Sequence, residues 1–378
     1  MATKAKTTTR KDIREITINE MTNSAKIDEN LKNLNPPAFK TSGLFSFREL
    51  LQLFEEKFNK RHFPTSPGSL YDASQYILTL GGKRIRPVMC LMGNELFGSI
   101  NPDAWHVATA IELFHNFTLI HDDIMDKAPL RRGMPTVHTK YSEPTALLAG
   151  DVMLVAAYEY LNKIDSEHLH EVLAIFNSTS KRVCEGQQLD MDFAQISPLT
   201  SPVTGLANTK QNVSFDDYVH MIGLKTSVLL ASSLQLGAVL GGAGQGNQQH
   251  LYQFGKNLGI AFQVQDDYLD AFGDPEKFGK KQGGDIISNK KTFLLLEALR
   301  AGSVEEVQEL DQLMKGNAED KVERVINIYR SCKADEWAKE LKYKYMSLAM
   351  EHLEEIAVLS VRKKPLEELA HYLLDREM

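Results

Sequence analysis

The chain has 378 residues, 43% hydrophobic and 25% charged, the composition of an ordinary soluble globular protein with ample material for a core. A formal net charge of −7 argues against a nucleic-acid footprint, although it leaves room for a locally positive pocket. Three scattered cysteines, Cys90, Cys184 and Cys332, form no CxxC pair; they suit a reducing, cytoplasmic compartment and exclude a zinc or disulfide framework. No apolar run reaches the ~18 residues of a membrane span.

Residues 1–44 are polar, are broken by Asn35-Pro36-Pro37, and read as a flexible tail. The first residues, MATKAKTTTRK, are basic and acid-free in the manner of a transit segment, but Asp12 and Glu15 interrupt the pattern. Helices begin at Ser46-Phe47-Arg48-Glu49, a capping-box pattern leading into LLQLFEEKF. Pro64 and Pro67 end that element, SLYDASQYILTL forms the next, and Gly81-Gly82-Lys83-Arg84-Ile85-Arg86-Pro87 is a turn that opens a third.

Asn101-Pro102 starts a central helix, with proline at a tolerated first-turn position. Its apolar run IELFHNFTLIH turns abruptly acidic at Asp122-Asp123-Ile124-Met125-Asp126. At 3.6 residues per turn Asp122 and Asp126 lie on one face, about 6 Å apart. Two carboxylates at that spacing repel each other unless a cation sits between them. Oxygen ligands suit a hard ion such as Mg²⁺, which keeps several waters and shares its other positions with substrate phosphates. Arg131 and Arg132 follow, guanidinium forks that match phosphate oxygens bidentately. Carboxylates, metal and guanidinium together describe a diphosphate site.

Glu143-Pro144 opens another long apolar helix, and a further helix runs from about Ser166 to Phe193. Residues 194–213, rich in Pro, Ser, Thr and Asn, read as a surface loop. Ser214-Phe215-Asp216-Asp217 caps a helix that carries Lys225-Thr226 and ends near Gly241-Gly242. A second acidic helix, about Gln248 to Ala271, holds Phe262-Gln263-Val264-Gln265-Asp266-Asp267-Tyr268-Leu269-Asp270 and is followed by Lys280, Lys281, Lys290 and Lys291. One DDxxD is common on solvated helix faces. Two, each ending an apolar helix and each followed by cations, are not explained as surface. From Asn289 onward the chain is amphipathic, helical and charged. The pattern predicts no strands, no repeat and no clean boundary: an all-α protein with one domain over residues 45–378.

Several features also have a plainer reading. GGKRIRP could be a helix entry with solvated cations, His115 a satisfied core histidine, Lys225-Thr226 unremarkable, Lys281 and Lys291 solvated neighbours, and Phe114 and Phe117 core packing.

Taken together, GGKRIRP, DDIMD followed by RRG, the Lys-Thr pair, FQVQDDYLD, GKK and NKK occur in an order that resembles the trans-isoprenyl diphosphate synthases, the polyprenyl synthetase family. The resemblance runs from about Gly81 to Lys291 and implies a bundle of antiparallel helices around a deep central cavity, usually as a homodimer. It implies that Lys83, Arg86, His115 and Arg132 hold the diphosphate of isopentenyl diphosphate. Asp122, Asp126 and Asp266 would bind three Mg²⁺ ions bridging to an allylic diphosphate, which Arg131, Lys225, Lys280 and Lys290 also contact, with Thr226 and Gln263 near the reacting carbons. In the family a bulky residue five positions before the first aspartate is a floor under the product. Here that residue is Phe117, about 7.5 Å from Asp122 along the helix, with Phe114 about 4.5 Å deeper. One aromatic beside the smaller Thr118 suggests a C20 product, with C15 as the alternative.

The chemistry implied is heterolysis of an allylic C–O bond, with metal and cations stabilising the leaving diphosphate and a dry apolar cavity protecting the carbocation. Two other readings compete. A ferritin-like di-metal protein would use Glu112-x-x-His115 and Glu167-x-x-His170, but Glu167 follows Ser166 at a polar helix start, and that fold has no use for DDxxD. A non-catalytic subunit of a heteromeric synthase would be expected to have lost an acidic motif, and both are intact. A terpene cyclase shares the first motif but does not need Lys83, Arg86 and Arg132.

Overall fold

A computed structural model of the chain describes residues 44–195, 213–274, 282–316 and 318–374. The tail predicted over 1–44 falls outside them save for Leu44, as do residues 196–212 of the predicted loop; its first two residues, 194 and 195, continue a helix.

Helix α1 (Phe47–Phe58) starts with the predicted capping box, Ser46 and Glu49 each accepting from the other's backbone N–H. Then come α2 (Gly68–Thr79) and α3 (Ile85–Glu95), the latter entered through Arg84 in the left-handed region at φ 46°. The central helix is α4 (Pro102–Met125), capped by the Asn101 side chain. A two-stranded ribbon follows, β1 (Leu130–Arg131) and β2 (Met134–Pro135), then the short α5 (Val137–Lys140), α6 (Glu143–Leu161) and α7 (Ser166–Gln195). The ribbon corrects the expectation of no strands; two residues per strand are too few to show alternation in sequence.

The helix predicted from Ser214 to Gly241 is interrupted. It runs as α8 (Phe215–Ile222), a π-helical turn (Gly223–Ser227) and α9 (Val228–Leu240). By length and composition this continuous 26-residue stretch could cross a membrane, but 78% of its most apolar window is buried inside the protein. A helix apolar on every side is a core helix when other helices cover it. The second acidic helix is α10 (Gln245–Phe272). The short α11 (Gly284–Ile287) leads to α12 (Phe293–Ala301), α13 (Val304–Lys315), α14 (Lys321–Ser331), α15 (Ala334–Glu354) and α16 (Ser360–Leu374).

Helix α4 packs along α6, α9 against α3 and α10, and α10 along α15. Two apolar clusters result. One gathers α1 to α7, α9 and α16 with Leu251, Phe254, Leu258 and Ala261 of α10. The other gathers α8 and α11 to α14 with Ile260, Val264 and Ala271 of α10. Helix α10 therefore passes from one core to the other near Gln263, where its chemistry-bearing residues begin.

Candidate active site

At the end of α4 the three aspartates take different positions. Asp122 is half-buried; its Oδ1 accepts no hydrogen bond. Lys225 Nζ lies 3.4 Å from that oxygen and Arg131 Nη2 3.7 Å from Oδ2. Asp123, 2% exposed, turns inward and takes both Arg131 Nε and Nη2 at 2.8 Å. Asp126 caps the helix, its N–H bonded to Asp122 O. Desolvation, then the Asp122 charge, raises the Asp126 carboxyl above its ordinary range, while Lys225 and Lys290 pull the other way.

The ribbon separates the two arginines. Leu130 pairs with Pro135 and Arg131 with Met134, so Arg132-Gly133 is a two-residue loop with φ of 55° and 78°. Positive φ at both positions is what a tight hairpin needs, and it is costly at arginine. Arg131 turns back to Asp123, whereas the Arg132 guanidinium donates to Gly81 O in the predicted Gly81–Pro87 turn.

Lys225 and Thr226 lie within the π turn, a helical irregularity that recurs at functional sites. Lys225 Nζ is 2.6 Å from Asp190 Oδ2 as well as 3.4 Å from Asp122. Desolvation opposes its charge, but Asp122 and Asp190 outweigh it and the ammonium pKa is raised. The next side chain faces elsewhere: Thr226 Oγ1 donates to Gln263 Oε1 at 3.4 Å on α10. Adjacent residues thus join the first acidic motif to the second helix. Asp190 was not anticipated from sequence. The signal available was Gly186, a glycine inside a helix four residues before it; a Cβ there would stand 2.2 Å from Lys225 N, so only glycine lets α7 close on the π turn.

The second motif is built differently. Asp267 is buried and accepts from Gln263 Nε2 at 2.8 Å, Tyr218 OH at 3.2 Å and Phe293 N at 3.3 Å. Burial, with Asp285 adding, pushes its carboxyl up to about 8. Asp270 accepts from Asp285 N at 2.9 Å, and Asp266 is near enough to Arg86 to raise the latter's pKa. Lys290 lies 3.5 Å from Asp285; desolvation opposes its charge, but Asp285, Asp126, Asp190 and Asp122 together hold its pKa up. Lys280 and Lys281 lie outside the described residues. Lys291, expected as a solvated neighbour, instead donates to Phe193 O at the end of α7, and burial lowers its ammonium pKa.

Beside these carboxylates lies a cationic group. Arg86 Nη1 is 3.1 Å from His115 Nε2, and Lys83 Nζ sits 5.8 Å from the centroid of the Phe262 ring. Burial first, then Arg86, Arg132 and Arg131, hold His115 well below the ordinary imidazole range, so it is neutral and accepts from Arg86. Burial lowers Arg86 to about 10, with Glu112 and Asp266 opposing and Arg132 assisting. Arg84 belongs to the frame: it is buried and pairs with Glu112, which also accepts from Asn116 Nδ2 at 3.0 Å. Glu112 is therefore committed, and the ferritin-like reading fails at that residue.

Deeper along α4, Phe117 is half-buried and Phe114 is 1% exposed, their centroids 5.5 Å apart; Phe114 also meets Phe176 edge-on at 5.3 Å.

Comparison with known proteins places the chain in a family. The profile of the Polyprenyl synthetase family matches residues 67–332. Among the relatives, the geranylgeranyl diphosphate synthase of Methanosarcina mazei is 36% identical over 316 residues, 83% of this chain and 91% of that protein. The geranylfarnesyl diphosphate synthase of Natronomonas pharaonis is 32% identical over 329 residues, covering 82% of this chain and 91% of its own length. A crystal structure of a geranylgeranyl pyrophosphate synthase superposes with a TM-score of 0.80 at 39% identity, covering 89% of this chain and 100% of that one. The helical frame and the stretch that holds both acidic helices are shared, and the chain belongs to the polyprenyl synthetase family.

Proposed function

We propose that this trans-prenyltransferase condenses isopentenyl diphosphate head-to-tail with allylic diphosphates, C20 being the favoured product and C15 the alternative. The observation that carries the reading is the Lys225-Thr226 pair. It joins Asp122 to Gln263, while Arg86 meets His115 and Arg132 meets Gly81 O, and these different partners support two anion sites.

The donor set fits magnesium. Asp122 Oδ1 is buried without a hydrogen bond, and desolvation first, then the Asp122 charge, raises Asp126, so a cation held there would relieve both carboxylates. Among the described residues no three His, Cys, Asp or Glu side chains converge as one metal cage. Mg²⁺ needs none, since it takes one or two carboxylates and completes its shell with water and phosphate oxygens. Asp122 and Asp126 would hold it from one helix and Asp266 from the other, with three ions per site in this reading. Bound there, Mg²⁺ would supply Lewis-acid stabilisation of a leaving diphosphate.

The remaining steps belong to side chains. Arg131, Lys225 and Lys290 supply positive charge where negative charge develops as the allylic C–O bond breaks, and the family resemblance gives Lys280 the same role. Arg86 and Arg132, with Lys83 and neutral His115 donating or accepting beside them, orient isopentenyl diphosphate so that its double bond faces the cation. Thr226 and Gln263 present oxygens near the reacting carbons. The proton lost afterwards goes to the released diphosphate, because His115 is engaged by Arg86. Phe117 and Phe114 close the apolar channel.

The rest of the reading is coarser. The catalytic domain is taken as residues 45–378. Three free cysteines suit a cytoplasmic location. A homodimer is supported by Leu147, Leu148 and Val155, exposed on α6. The deciding experiment incubates the purified chain with Mg²⁺, isopentenyl diphosphate and each allylic starter, then measures product length. Elongation to C20 is expected. No elongation from any starter by the chain alone would leave the non-catalytic subunit as the better account.

A further inference from the structure

His121 and Gly150 have no part in the chemistry above, yet they join α6 to the residue read as the product floor. His121 stands one turn beyond Phe117 on α4, and the two rings meet edge-on with centroids 4.8 Å apart. On its other side the imidazole rests on α6. Its Nε2 donates to Leu147 O at 3.1 Å, and Asp151 Oδ1 lies 3.8 Å away. The seat exists only because residue 150 is glycine: a Cβ there would stand 2.3 Å from His121 Nε2 and 2.5 Å from Cδ2.

We propose that His121 and Gly150 are specificity-determining positions for product length, Gly150 by giving the imidazole its seat on α6 and His121 by fixing how far the Phe117 ring stands in the path of the growing chain. The inference rests on the reading of Phe117 as the floor. An imidazole has two side-chain torsions and few staggered alternatives on a helix. A methyl group at 150 cannot share its place, and helices packed at crystal-like density do not part to make room. The ring must leave Leu147 O, and the aromatic neighbour in its way is Phe117. Removing the imidazole does the reverse, opening space into which the Phe117 ring can retreat. The two changes therefore act in opposite directions. Both are positioning effects, since neither residue contacts a diphosphate in this reading.

The test uses the full chain with Mg²⁺, isopentenyl diphosphate and geranyl diphosphate, reading the distribution of chain lengths. Phe117→Ala, His121→Ala, Gly150→Ala and the double variant His121→Ala with Gly150→Ala are compared. His121→Ala is expected to raise the share of the next longer product about tenfold, and Gly150→Ala to shift products shorter. In the double variant the Gly150→Ala effect disappears, because its methyl group then meets empty space; a general loosening of the fold would persist. If Phe117→Ala lengthens the product while His121→Ala leaves it unchanged, or if Gly150→Ala acts equally in both backgrounds, the proposal is wrong and the floor stands. If Phe117→Ala itself changes nothing, the floor reading falls and this inference with it. Should Gly150→Ala fail to fold by circular dichroism, His121→Ala alone still decides.

Discussion

At the end of α4 the middle carboxylate, Asp123, is buried against the Arg131 guanidinium; at the end of α10 its counterpart Asp267 is buried against an amide, a phenol and a backbone N–H. The two pentads are spelled alike and placed in different company. Around the first, Arg131 and Lys225 reach Asp122 within 4 Å, so much of its negative charge is met by protein. Around the second, Asp285 and Asp266 both add to the pressure on Asp267, whose carboxyl rises to about 8. In each pentad the second aspartate is spent on architecture, and the first is the one the proposed reading assigns to the metal. DDxxD thus specifies a division of labour whose electrostatic terms are set by other helices.

The comparison breaks first at the leading aspartate of each pentad. Asp122→Ala and Asp266→Ala should each lower turnover by several orders of magnitude with helical content unchanged, because in the proposed reading each removes a metal ligand and no core packing. Near-normal turnover of either variant in Mg²⁺ buffer would overturn the shared-metal reading.

The middle aspartates sharpen it. Asp123→Asn leaves the Arg131 guanidinium beside a neutral amide and should cost about 2 kcal/mol, discounted because Arg131 retains some contact with solvent. Asp267→Asn replaces a carboxyl that is already mostly protonated at pH 7, and Gln263 can flip its amide to match. It should cost less than about 1 kcal/mol. Urea midpoints of the two variants decide the point, and equal losses would show that the two burials are equivalent after all.

Much of this was legible from spacing alone. The i, i+4 carboxylates, the capping box at Ser46 and the cap at Asn101 are local patterns, and local patterns are written in consecutive residues. What stayed hidden depends on distant partners. Nothing in the sequence says that Asp190 meets Lys225 across 35 positions, or that Glu112 is taken by Arg84. The π turn is invisible because nothing local in Gly223-Leu224-Lys225-Thr226-Ser227 distinguishes an i→i+5 turn from an α-helical one. The ribbon is hidden because Arg132 adopts a backbone conformation its side chain disfavours. Its partner Gly81 lies 51 residues earlier, outside any local window.

A third measurement separates the anion sites. Arg132→Ala frees the Gly81 turn and should raise KM for isopentenyl diphosphate about tenfold or more, with little change in KM for the allylic substrate. Lys225→Ala should do the reverse, since its ammonium belongs to Asp122 and Asp190. Equal effects of both variants on both substrates would merge the two pockets into one.

The most specific effect is on product length. Each added isoprene unit buries about five carbons, up to ~4 kcal/mol at ~0.8 per methylene, so elongation is favoured until a ring stands in the way. Phe117 and Phe114 are both aromatic and three residues apart, but the fold treats them unequally. Phe117 is half-buried, whereas Phe114 is packed between Phe117 and Phe176 with 1% exposure. Phe117→Ala should therefore shift products to C25 or longer at little cost in stability. Phe114→Ala should also weaken the core, by about 3–5 kcal/mol if the cavity does not collapse. The double variant is expected to extend products further, and Phe114→Leu in the Phe117→Ala background tests the same step with less damage. Chain lengths measured alongside unfolding midpoints distinguish the two roles. An unchanged product distribution in the double variant would place the floor on another helix, and Phe176, which meets Phe114 from α7, would be the next ring to remove.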